Sequence, residues 1–73
     1  MLKKRSITIR GHRTSVTLEP EFWDAVEALA ARRGQTLSAF ITRADIDREE
    51  HENLSSALRL IVLRDLTARR LSP

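Results

Sequence analysis

The apolar positions of this chain follow two different periods. Near the N-terminus they alternate with polar ones, as Ile7 and Ile9 in one run and Val16 and Leu18 in the next. Period two with Ile, Val, Thr and Leu predicts strands over residues 6–9 and 13–18. From Pro20 the spacing changes to three and four, placing Phe22, Trp23, Val26, Leu29 and Ala30 on one stripe. That stripe predicts an amphipathic helix over 20–33. Glu19-Pro20-Glu21 suits its start and Arg32-Arg33-Gly34 its end, because acids and cations complement opposite ends of the helix dipole. Trp23, beside Phe22 on this stripe, reads as core rather than as a stacking platform.

A second helix is expected over 37–50, capped by Thr36 or Ser38, with Leu37, Phe40, Ile41 and Ala44 on its buried face. Its far boundary stays open. The charged run Asp45 to Glu52 extends the pattern, but acids are unfavourable at a helix C-terminus. Asn53 can cap a third helix over 54–70, with Arg69 and Arg70 in its last turn. The apolar residues of this helix, including Leu58, Ile61, Val62, Leu63 and Leu66, cover more than one narrow stripe, so it calls for burial on several sides. A 73-residue chain without cysteine has little surface to bury and no disulfide to help. A homodimer is therefore expected, with Val16, Leu18, Trp23, Phe40, Ile41, Leu58, Ile61 and Val62 as its core. No internal repeat, linker or low-complexity segment is evident, so residues 1–73 read as one domain, mainly α with a short N-terminal β ribbon.

The parity of the apolar positions breaks between the two strands: Ile7 and Ile9 are odd-numbered, Val16 and Leu18 even. A straight strand over 6–18 would put the two pairs on opposite faces. Two alternatives remain open. A hairpin with Gly11-His12 at its tip pairs Ile7 with Val16 and Ile9 with Thr14, restoring one apolar face. A single strand with a kinked arm in front of it bends at Gly11 instead.

Charge adds a direction. The net charge is only +3, but Lys3, Lys4, Arg5, Arg10 and Arg13 precede the first acid, and residues 1–5 form a basic arm. Such asymmetry hints at a nucleic-acid partner. The inventory for catalysis is poor. His12 and His51 are the only imidazoles, no cysteine is present, and Gly11 and Gly34 stand alone. A metal site needs three or four convergent ligands, so His51 beside Glu49, Glu50 and Glu52 reads as a solvated junction. No enzyme activity, metal or cofactor is expected. Nothing resembles a signal peptide or a membrane span, and the expected compartment is the cytoplasm.

The stretch Arg13 to Ala44, "RTSVTLEPEFWDAVEALAARRGQTLSAFITRA", resembles the ribbon-helix-helix superfamily of the Arc and methionine repressors. The likeness lies in an alternating strand ending in Leu, an acid/Pro helix start, a helix ending in Gly, and the Thr36-Leu37-Ser38 start of the next. With "RSITIRGHRTSVTLEPEFW" before it and "NLSSALRLIVL" after it, the chain resembles a bacterial subfamily with an extended N-terminus and an extra C-terminal helix.

The resemblance implies a homodimer in which two chains pair one strand each into a ribbon that enters the major groove of double-stranded DNA. An α-helix or a two-stranded ribbon fits a groove about 12 Å wide. Carried over to this chain, the base-reading positions are Arg13, Ser15 and Thr17, of which Arg13 suits guanine. Lys3, Lys4, Arg5 and Arg10 would attract phosphates, and the N-terminus of the second helix, at Thr36 and Ser38, would hold one. The implied function is a sequence-specific DNA-binding transcriptional regulator. The alternative is a dimeric protein-interaction module, or an antitoxin-like binder of a protein partner, without groove reading. A hairpin favours that alternative, because hairpins from two chains make a four-stranded sheet. Its outer strands would stand roughly 14 Å apart before side chains are added.

Overall fold

The computed structural model describes residues 1–71. Two strands, β1 (Lys3–Ile9) and β2 (His12–Leu18), are followed by α1 (Pro20–Arg32), α2 (Leu37–Asp47) and α3 (Leu54–Leu71). The chain is mainly helical with an N-terminal ribbon and a third helix, as the sequence predicts. Both strands run longer than their alternation suggests, because polar Lys3, Lys4 and Arg5 join the ladder in β1 and His12 joins it in β2.

The chain folds back on itself: β1 and β2 pair antiparallel as Arg5–Val16, Ser6–Ser15, Ile7–Thr14, Thr8–Arg13 and Ile9–His12. The hairpin alternative holds, but its tip is Arg10-Gly11 rather than Gly11-His12. Arg10 and Gly11 have φ values of 51° and 81°, and positive φ at both central residues is the type I′ turn that matches the twist of paired strands. The shifted register also avoids setting Arg10 opposite Arg13. The parity argument survives the shift. Ile7, Ile9, Val16 and Leu18 share one face and are buried. Thr14, expected among them, lies on that face but stays exposed.

Helix α1 starts at Pro20 with Glu19 before it, and Gly34, at φ 67°, follows its C-cap Arg33. Thr36 caps α2, its Oγ1 accepting from the Ala39 N–H at 3.0 Å. This helix stops at Asp47, short of the expected residue 50, and Arg48 is extended with its N–H bonded to the Ala44 carbonyl. Arg48 also donates to Asp45 at 2.8 Å, so a cation rather than the acidic run closes the helix. Asn53 caps α3 as expected, with its Oδ1 accepting from the Ser56 N–H at 2.7 Å.

The helices cover one face of the hairpin. Leu18, Val26, Ile41 and Leu58 are fully buried and Trp23 is 1% exposed, and among the described residues no polar or charged residue is buried. The residues expected to form the core of a dimer thus pack within one chain. Val16, Leu18, Trp23, Phe40, Ile41, Leu58 and Val62 are buried, and Ile61 packs against them half-buried. Leu63 and Leu66, by contrast, face outward.

Candidate nucleic-acid interface

Paired residues of a sheet share a face, so the register defines the surface of the hairpin opposite the helices. It carries Lys4 and Thr17 at one end, Ser6 and Ser15 at the centre, and Thr8 and Arg13 at the other. All are exposed except Thr17, which is half-buried. The three expected base-reading residues, Arg13, Ser15 and Thr17, lie together on this face. Lys4, expected only to attract phosphate, lies on it too. Ser6 and Thr8 were not singled out from the sequence. The signal for them was the pairing rule, which puts even residues of the first strand beside odd residues of the second.

The other cationic candidates divide. Arg10 stands at the exposed tip of the turn. The Lys3 side chain is exposed at the start of β1, while its carbonyl accepts from the Trp23 indole N–H at 2.9 Å. Arg5 points toward the helices. Its guanidinium pairs with Glu27 and lies 4.6 Å from the Trp23 ring centroid.

The two edges of the hairpin are also occupied. A two-residue turn makes Ile9–His12 a hydrogen-bonded pair, and alternation then points the backbone groups of Thr8 and Thr17 away from the ladder. Ser38, at the start of α2, donates to the Thr8 carbonyl at 2.5 Å. Ser55, at the start of α3, donates to the Thr17 carbonyl at 2.8 Å. Of the two residues expected at a phosphate, Thr36 therefore caps α2 and Ser38 ties it to β1.

Glu19, between β2 and α1, accepts from Arg59 of α3 at 2.9 Å. That hydrogen bond, with one from the Glu19 backbone, holds its carboxyl below the usual carboxylate value. The same Arg59 lies 5.9 Å from the Phe22 ring centroid. These contacts brace the junction of β2, α1 and α3 from which the ribbon projects.

The three helices carry a basic, hydroxyl-rich ribbon, and comparison with known proteins gives the fold a class. Residues 2–66 match the ribbon-helix-helix domain family. The chain belongs to that family. It is also similar to the solved structure of an uncharacterized protein from Bordetella pertussis Tohama I, at 35% identity and a TM-score of 0.83. The match covers 96% of this chain and 59% of that one, so the chain spans little more than half of that protein's length. No curated protein matches the sequence. Among the described residues, no helix is long and apolar enough to cross a membrane.

Proposed function

We propose that this protein is a sequence-specific DNA-binding regulator that reads double-stranded DNA with the outer face of its ribbon. One observation carries the reading: Arg13, Ser15 and Thr17 share a polar face with Lys4, turned away from the apolar core. Arg13 suits guanine, and the hydroxyls accept or donate to several base edges. Lys3 and Arg10, outside that face, add attraction to phosphates that does not depend on sequence. Arg5, engaged by Glu27, adds less. The backbone N–H groups at the start of α2, near Thr36 and Ser38, offer a further phosphate contact.

The reading includes a homodimer. Away from the chain ends, the large apolar side chains left exposed are Ile46, Leu63 and Leu66, and the latter two lie one turn apart on α3. They are the surface available to a second copy.

Fluorescence-anisotropy titration of the full chain with labelled duplex DNA at two salt concentrations tests the proposal. Affinity should fall steeply with salt, and Arg13→Ala should weaken binding to a preferred site by about 1–3 kcal/mol. If no duplex is bound at low salt while a protein partner is recovered in stoichiometric amount, the interaction module replaces the regulator.

A further inference from the structure

The hairpin repeats itself. Sliding β1 by nine positions sets Lys4 on Arg13, Ser6 on Ser15, Ile7 on Val16, Thr8 on Thr17 and Ile9 on Leu18. The repeat is too short to stand out in the sequence alone. In the structure it acquires a symmetry axis. Ser6 and Ser15 face each other, and a two-fold rotation about the midpoint of that pair carries each β1 residue onto its counterpart in β2.

The flanking helices obey the same relation. Thr36-Leu37-Ser38 opens α2 and Asn53-Leu54-Ser55 opens α3. The first residue of each caps its helix, accepting from the N–H three positions on. Each leucine packs half-buried against the core. Each serine donates to a ribbon-edge carbonyl, Ser38 to Thr8 and Ser55 to Thr17. Thr8 and Thr17 are themselves counterparts, so the strand repeat and the helix repeat describe one axis. Ile41 and Leu58, next in the same correspondence, are both fully buried. Helix α1 has no counterpart after β1, where the tight turn stands instead.

We infer that one chain builds a complete two-fold ribbon, and that Lys4, Ser6 and Thr8 form a second base-reading set equivalent to Arg13, Ser15 and Thr17. The inference rests on the proposed DNA binding and specifies how that site is assembled. A two-stranded ribbon from a single chain fits the major groove, whereas a four-stranded sheet from two hairpins is too wide. Lys4 and Arg13 stand at opposite ends of the ribbon, four residue steps and about 13 Å apart along the strands. That separation spans roughly four base pairs. The target is therefore a quasi-palindrome read by one chain, and a homodimer carries two complete ribbons instead of sharing one.

Selection of preferred duplexes from a random-sequence pool, repeated with the wild-type chain and with Lys4→Ala and Arg13→Ala, tests the assignment. The wild type should select two related half-sites. Lys4→Ala should lose the preference at one half-site and Arg13→Ala at the other, each weakening the wild-type site roughly 5- to 150-fold. Circular dichroism should show both variants folded, since both positions are exposed. A second pair, Ser6→Ala and Ser15→Ala, should soften discrimination at the centre of the site. If Arg13→Ala instead erases both half-sites and Lys4→Ala weakens selected and unselected duplexes alike, β2 strands from two chains form the ribbon. The single-chain assignment then falls while DNA binding stands. Failure to bind any duplex at low salt overturns both.

Discussion

The guanidinium carbon of Arg5 lies 4.6 Å from the ring centroid of Trp23. The indole N–H on the same ring reaches back to the Lys3 carbonyl, so β1 is fastened to α1 at two neighbouring points. Arg5→Ala removes the stacked cation and the ion pair to Glu27. With both partners well exposed, about 1 kcal/mol of stability should be lost. Urea unfolding followed through Trp23, the only tryptophan, gives the measurement. Binding to unselected duplex should change less than on Arg10→Ala, since the Arg5 charge is already engaged by Glu27 whereas Arg10 stands exposed at the turn.

The turn separates stability from charge. Arg10 adopts φ 51°, a region costing a non-glycine residue roughly 1–2 kcal/mol, and asparagine before glycine is preferred in this turn. Arg10→Asn should therefore raise the melting temperature while lowering the dependence of DNA affinity on salt by about one phosphate contact. Gly11→Ala, at φ 81°, should lower the melting temperature. Differential scanning calorimetry and the salt titration together check the pair.

Two leucines on α3 should behave differently. Leu58 is fully buried and Leu63 is 57% exposed. Leu58→Ala should cost about 2–5 kcal/mol in chemical denaturation. Leu63→Glu with Leu66→Glu should leave the fold intact. Light scattering after size exclusion should then report a monomer where the wild type is a dimer. A wild-type chain that is monomeric at high concentration would remove the dimer from the proposal.

Acid should loosen the junction at Glu19. Its carboxyl is held below the ordinary value by Arg59, so the folded state binds its proton less readily than the unfolded chain. The resulting stability is present above the ordinary carboxylate value and is lost as pH falls through the lower folded-state value. Glu19→Gln should flatten this acid limb in melting temperatures measured between neutral and acidic pH, with little change in DNA affinity at neutral pH.

Much of this architecture is local and was legible. The switch from period two to period three or four marks where ribbon becomes helix, and Pro20, Thr36 and Asn53 mark helix starts through short-range backbone chemistry. The end of α2 was less legible, because an acidic run can extend a helix or leave it. Arg48, bonded back to Asp45, decides the matter through a contact that periodicity does not encode. Half of the outer ribbon face was read as well, in Arg13, Ser15 and Thr17. Ser6 and Thr8 escaped because a side chain's neighbours across a ladder depend on register, and a one-residue change in the turn alters every pair.

By itself, the sequence determined the elements, the apolar faces and the basic character of the N-terminus. Each depends on residues a few positions apart. Only the tertiary structure decided that the chain folds back at Arg10-Gly11, that Leu58 and Val62 are covered by their own chain, and that Arg5 turns inward to Glu27. It also joined two faint repeats, one in the strands and one at the helix starts, about a single axis. Local periodicity sets which face is apolar, but the choice of what covers that face is made by contacts between distant segments.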